Sequence, residues 1–104
     1  MFCQKILSSF FKPVQEKDTL PLNMNPQVLI LYKFDTCIFC RRVMAMIDAN
    51  QWPVIYRDTQ EEHNRQALVA LTGKTQVPCL SIDGEPLLES RLIIRYLQQV
   101  FPTG

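Results

Sequence analysis

VLILYKFDTCIFCRRVMAMI, residues 28–47, is the stretch from which the rest of the chain is read. Its first five residues, Val28, Leu29, Ile30, Leu31 and Tyr32, form an unbroken apolar run, the mark of a strand buried on both faces. The apolar residues then change period. Val43, Met44 and Ile47, with Met46, recur at helical spacing and predict an inward-facing stripe. Cys37 and Cys40 stand where the strand gives way to the helix.

Downstream, Pro53 opens a second strand over residues 54–57, with Trp52 and Pro53 covering the end of the core. Thr59-Gln60-Glu61-Glu62 has the capping-box pattern, a hydroxyl with a glutamate three residues on. It predicts a helix that buries Ala67, Leu68 and Leu71 and stops at Gly73. A third strand covers 77–82, and Asp83-Gly84 is a strong two-residue hairpin signal leading to a fourth over 86–88. Ser90 is the expected cap of a last helix whose stripe is Leu92, Ile93, Tyr96, Leu97 and Val100. Upstream, Phe2, Ile6 and Phe10, with Cys3 and Leu7, share one side of a short amphipathic helix that Pro13 ends. Residues 13–26 are polar and carry three prolines, so they read as a linker.

The organisation expected is therefore an N-terminal helix and linker over residues 1–26, then one domain over 27–104. The order β-α-β-α-β-β-α makes the first two strands parallel through a right-handed crossover and the last pair an antiparallel hairpin. An α/β fold with a four-stranded mixed sheet covered by helices accommodates it.

The 104 residues suffice for one domain, and 47% hydrophobic content is enough for its core. Eleven basic and 10 acidic residues give a net charge of +1, with no basic run to suggest nucleic acid. No stretch approaches the ~20 apolar residues of a membrane-spanning helix. The N-terminus lacks the continuous apolar region and cleavage site of a signal peptide, so a reducing cytoplasm is expected. Residues 1–12, with Lys5 and Lys12, are compatible with weak contact to a membrane surface or a partner, not with firm anchoring.

Cys37-Ile38-Phe39-Cys40 carries the chemistry. A sulfur at a helix N-terminus faces backbone N–H groups and the positive end of the macrodipole, and both favour thiolate over thiol. Arg41, Arg42 and Lys33 add positive charge nearby. Cys37 is then the exposed, activated thiol, and Cys40, one turn inside, is placed to attack a mixed disulfide formed on it. Three readings of the pair stand side by side: a redox dithiol, a metal site drawing on Cys3, Cys79 and His63, and an inert pair. The strand–CxxC–helix context favours the first. Cys79 heads a buried strand and reads as a small core residue; His63 reads as a solvated surface residue.

With these elements in place, Cys37-Ile38-Phe39-Cys40, Gln76-Val77-Pro78 and Leu88-Glu89-Ser90 together resemble the glutaredoxin family of the thioredoxin fold, over roughly residues 27–101. The resemblance is greatest to bacterial glutaredoxin-like proteins with an extra N-terminal helical segment. It implies that Pro78 is cis and lies against the active cysteine, and that the Val77 backbone pairs with the cysteinyl part of glutathione. It also implies that Glu89 and Ser90 hold the γ-glutamyl end, as in the N-terminal domains of glutathione transferases. Lys33, Gln76, Val77, Pro78, Glu89 and Ser90 are then the glutathione-binding residues and Cys37 and Cys40 the catalytic ones. Arg57, Lys74 and Arg91 are further cations that could line the groove. Because the chain stops at Gly104, the all-helical second domain of a glutathione transferase is not expected in it, which favours a glutaredoxin reading over a transferase one.

One departure from the pattern is Ile38, where dithiol glutaredoxins usually have proline; the change bears on rate and potential, not on reaction class. The resemblance implies glutathione as co-substrate, disulfide-containing or glutathionylated proteins as partners, and no metal. Two other readings compete with it: a dithiol reductase supplied by a thioredoxin reductase, and a metal- or iron–sulfur-binding module built on Cys37.

Overall fold

The computed structural model describes residues 23–102. The N-terminal helix expected over residues 1–11, Cys3, and the linker as far as residue 22 lie outside the described residues. Seven elements follow in the order β1 (Leu29–Lys33), α1 (Ile38–Asn50), β2 (Ile55–Asp58), α2 (Glu62–Thr72), β3 (Cys79–Ile82), β4 (Glu85–Leu88) and α3 (Ser90–Val100).

The sheet order is β2-β1-β3-β4. β1 pairs with β2 in parallel, and β1 with β3 and β3 with β4 antiparallel, so the expected four-stranded mixed sheet is present. Side chains alternate across it as a pleated strand requires. Leu29, Leu31, Leu80, Ile82 and Leu87 face one core with Val43, Ile47, Ile93, Tyr96 and Leu97 of α1 and α3. Tyr32 and Cys79, with the partly buried Ile30 and Leu88, face the other with Leu68 of α2. That division explains why residues 29–32 carry no polar side chain; the strand runs Leu29–Lys33 and not 28–32, and Val28, which lies before the ladder, is 47% exposed. Trp52 is buried and stacks on Phe101 at 6.4 Å between ring centroids, closing the end of the larger core.

Several local expectations are corrected. Thr59 does not cap α2. Glu61 stands at the N-cap position and makes no side-chain capping bond. The Thr59 N–H and hydroxyl both donate to the Lys33 carbonyl, at 2.8 and 3.3 Å, prolonging the β1–β2 ladder, and Glu62 is occupied by Arg65 and Gln66. A threonine free to choose takes the sheet edge over the helix end because its backbone is already in register there. Ser90 likewise is the first residue of α3, not its cap; Glu89 holds that position with φ 78 and ψ 119. β2 begins at Ile55, not Val54, because the ladder opens with Ile30 opposite Ile55 while the Val54 N–H turns back to the Trp52 carbonyl. β3 begins at Cys79, since Pro78 has no N–H to give to a ladder. β4 begins at Glu85, opposite Ile82 across the Asp83-Gly84 turn. Both turn residues have positive φ, 50 and 93, as the hairpin signal requires. α1 ends without a glycine, on Gln51 in the left-handed region.

The hairpin also clasps the segment that leads into β1. The Asp83 carboxylate accepts from the Val28 N–H at 2.7 Å, from the Gln27 N–H at 3.0 Å and from the Asn23 side-chain amide at 2.9 Å. The Asn23 carbonyl in turn receives the Tyr96 hydroxyl. These bonds, first among them that from Val28, hold the Asp83 carboxyl below its ordinary pKa. No helix among the described residues is long and apolar enough to cross a membrane.

Two outcomes follow for stability. A carboxylate whose pKa is lowered by folding stabilises the fold above its unfolded pKa, and that contribution fades as the pH falls through the folded value. Asp83→Asn, which keeps the shape and tolerates positive φ, should therefore lower Tm at pH 7, with the difference from wild type closing on acidification below about pH 4; thermal melts across that range check it. Ile93→Ala, at a fully buried site, should cost about 2–5 kcal/mol in denaturant unfolding.

Candidate functional site

The register of the sheet brings four loops to one end. Lys33 at the end of β1 stands opposite Asp58 at the end of β2, Tyr32 opposite Cys79 at the start of β3, and Cys79 opposite Leu88 at the end of β4. The connections at 34–37, 59–61, 76–78 and 89–90 therefore lie along the same edge, and three of the four carry the residues singled out in the sequence.

The chain leaves β1 through a tight turn in which the Cys37 N–H donates to the Phe34 carbonyl at 3.2 Å. Cys37 then caps α1 in extended geometry, φ −78 and ψ 120, and its Sγ accepts the Cys40 N–H at 3.4 Å. The sulfur thus takes the place usually filled by a serine or aspartate oxygen. Cys37 is half-buried and Cys40 fully buried, and both are free thiols. Burial pushes the Cys40 thiol up to about 12. The Cys37 sulfur adds to that rise, while a backbone bond at Phe34 and the charge of Lys33 oppose it. Two cysteines three residues apart therefore have different environments, one at the surface of a helix end and one inside it. Cys79 is buried in the smaller core, as expected, with its thiol raised to about 11 by desolvation.

Beside this helix end lies a groove of about 270 Å3 lined by Phe39, Gln76, Val77, Pro78, Glu89, Ser90 and Arg91. The Val77–Pro78 peptide bond is cis. Val77 precedes β3, and its N–H and carbonyl have no hydrogen-bond partner among the described residues. Glu89 is one of three non-glycine residues with positive φ among the described residues, a conformation that turns the chain sharply from β4 into α3. Ser90 and Arg91 are the first residues of α3, where the N–H groups have no intrahelical acceptor. The groove thus offers an unpartnered backbone N–H and carbonyl on one wall and a helix N-terminus with a hydroxyl and a carboxylate on the other.

Five of the expected binding residues, Gln76, Val77, Pro78, Glu89 and Ser90, are gathered in this groove together with Arg91. Lys33 is not among its lining residues. Its Nζ lies 2.8 Å from Asp35 and 4.0 Å from Asp58, over the Tyr56 ring, with only 12% of the side chain exposed. It pins the turn that presents Cys37. Arg57 and Lys74 are also absent from the lining. Phe39, inside the cysteine motif, is a groove residue that the sequence does not single out. It is 52% exposed and forms a wall of the groove, and an aromatic left in the solvent-facing first turn of a helix was the signal for that. His63 lies at the surface. Among the described residues no three His, Cys, Asp or Glu side chains come together so as to hold a metal ion, and Cys3 lies outside them.

The family model for the glutathione S-transferase N-terminal domain matches residues 31–103. Among solved structures, the chain is similar to glutathione transferase Omega 3C from Trametes versicolor, at 22% identity over 88% of this chain and 38% of that one, with a TM-score of 0.63; this likeness is one of fold. It is similar to glutaredoxin 2 from Salmonella typhimurium in complex with glutathione, at 26% identity over 69% of this chain and 33% of that one, TM-score 0.60. It is also similar to the trimeric glutathione transferase TDR1 of Leishmania, at 27% identity over 69% and 16%, TM-score 0.58. The chain spans less than half the length of each of these proteins. No curated protein matches it.

The contrast between the thiols predicts an order of reaction. At pH 8 under native conditions, iodoacetamide should alkylate Cys37 ahead of Cys40 and Cys79, whose raised pKa values keep them protonated; those two should react fully only after denaturation, as peptide mass mapping would read directly.

Proposed function

We propose that this chain, which belongs to the family of glutathione S-transferase N-terminal domains, is a glutathione-dependent thiol–disulfide oxidoreductase of the glutaredoxin type. The observation that carries the reading is the groove itself: Val77, Pro78, Glu89 and Ser90 share it with Phe39, two residues from the capping sulfur of Cys37. The similarity to a glutaredoxin solved with glutathione supports the same ligand.

Glutathione is extended, anionic and carries a free peptide backbone. The unpartnered Val77 N–H and carbonyl suit its cysteinyl residue as a short strand addition. Ser90 and the N-terminus of α3 suit its α-carboxylate, and Glu89 its α-ammonium. Such docking leaves the glutathione sulfur at the Cys37 end of the groove.

The reaction follows from these placements. The Cys37 thiolate attacks the glutathionyl sulfur of a mixed disulfide. A sulfur–sulfur bond forms between Cys37 and glutathione as the bond to the target breaks, and the target sulfur leaves as a thiolate. The thiolate of a second glutathione attacks the enzyme-bound glutathionyl sulfur, giving oxidised glutathione and returning Cys37 to thiolate. With a protein disulfide, Cys37 first forms the mixed disulfide with the target and Cys40 resolves it, releasing the reduced target and leaving a Cys37–Cys40 disulfide that two glutathiones reduce. The buried, protonated Cys40 must lose its proton to act, so the resolving step of this second route gains from alkaline pH.

Turnover of a small glutathione mixed disulfide, coupled to glutathione reductase and NADPH, tests the reading. Cys37→Ser should abolish it, while Cys40→Ser should retain it and lose activity on protein disulfides. Ser90→Ala should raise KM for glutathione about tenfold, the loss of one hydrogen bond to a charged group. Absence of turnover in the wild type would overturn the assignment.

A further inference from the structure

A second cleft of about 400 Å3 runs between α1 and α3, lined by Arg42, Ser90, Arg91, Ile94, Arg95 and Gln98. It shares Ser90 and Arg91 with the first groove, so the two adjoin. Its charge is segregated. The chain as a whole is nearly neutral, at +1, yet α3 carries Arg91 and Arg95 and no acidic residue, and the first five residues of α1 include Arg41 and Arg42 and no acidic residue either. The one carboxylate of α1, Asp48, receives the Tyr56 hydroxyl at 2.8 Å. Among the described residues neither Arg42 nor Arg95 has a carboxylate within 4.0 Å. Arg42 lies over the Phe39 ring instead, at 5.9 Å, which links the cleft to the wall of the first groove.

This arrangement works against the helices that bear it. Arg91 and Arg95 are an i,i+4 pair of like charge, which repels, and cations in a first turn face the positive end of the macrodipole. Glu89, at the junction of the two clefts, is the carboxylate nearest in sequence, and the reaction above uses it for the α-ammonium of glutathione. Arg42 and Arg95 are thus left for something else.

We infer that this cleft receives an acidic segment of the protein substrate flanking its glutathionylated cysteine, so that the enzyme selects thiols set among aspartates and glutamates. The inference rests on the reaction proposed above and adds the choice of substrate to it. A substrate whose disulfide is held at Cys37 continues past Phe39 into the cleft, where an extended chain advances about 3.3 Å per residue and so reaches Arg42 and Arg95 within a few residues. Planar guanidinium groups match carboxylates with two bonds each, and Gln98 can donate to a backbone carbonyl. Ile94 adds an apolar contact between them. The chemical step is unchanged: the acidic peptide leaves as its thiolate while its glutathionyl group passes to Cys37.

Three glutathionylated peptides, alike except that aspartate, serine or lysine flanks the cysteine, test this beside the small disulfide of glutathione and 2-mercaptoethanol, which has no flanking peptide. The acidic peptide should exceed the serine one in kcat/KM about tenfold at low salt and lose most of that lead in high salt, with the lysine peptide slowest. Arg95→Glu, at an exposed position, should reverse the order and leave the small disulfide unaffected. Equal kcat/KM for the three peptides, with the small disulfide still reduced, overturns the inference and leaves the reaction standing. An acidic preference that survives Arg95→Glu overturns the assignment to this cleft. No turnover of any disulfide overturns the reaction and this inference with it.

Discussion

β1 is covered on both faces and paired along both edges, and the rest of the structure is arranged around that constraint. A strand so enclosed can exchange chain with the surface only at its ends. Parallel pairing with β2 and antiparallel pairing with β3 then fix which connections share an end: those after β1, after β2, before β3 and after β4. The cysteine turn, the Gln76–Val77–Pro78 segment and the Glu89–Ser90 junction are scattered over fifty residues of sequence and meet because the ladder leaves them no other place. Lys33 supports this from beneath, holding Asp35 of the cysteine turn and approaching Asp58.

Within that edge the two thiols show how little displacement is needed to separate their roles. Cys37 sits outside the first turn of α1 and lends its sulfur to the Cys40 N–H as a cap, whereas Cys40 is inside the turn and fully desolvated. The same bond that completes the helix also couples the pair, since charge on the Cys37 sulfur helps hold the proton on Cys40. Folding energy and reactivity here run through one hydrogen bond. The electrostatic cost is carried by α1 and α3 together, whose N-terminal turns hold arginines where carboxylates would stabilise the helices better.

Much of the architecture was legible because the relevant signals are local. The apolar run over residues 29–32, the change of period after Cys37, Gly73 as a helix stop and the Asp83-Gly84 hairpin each depend on one backbone preference, and each holds in the structure. Where two local preferences competed, the sequence was ambiguous. Thr59 and Ser90 each carry a good capping hydroxyl, yet Thr59 is claimed by the Lys33 carbonyl and Ser90 is shifted into the helix by the positive φ of Glu89. A capping motif names the residues that could cap; sheet register decides whether they are free to.

What the sequence determined by itself was the kind of elements, their order, and which side chains carry sulfur, charge and hydroxyl chemistry, because period, turn and cap are read over a few residues. What only the tertiary structure decided was company. It set Gln76, Val77, Pro78, Glu89, Ser90 and Arg91 around one groove, kept Lys33 out of it by pairing that lysine with two aspartates, and drew Arg42 of α1 towards Arg91 and Arg95 of α3. Those relations join residues up to about fifty positions apart. They are fixed by strand register and helix packing across the sheet, which no local pattern encodes.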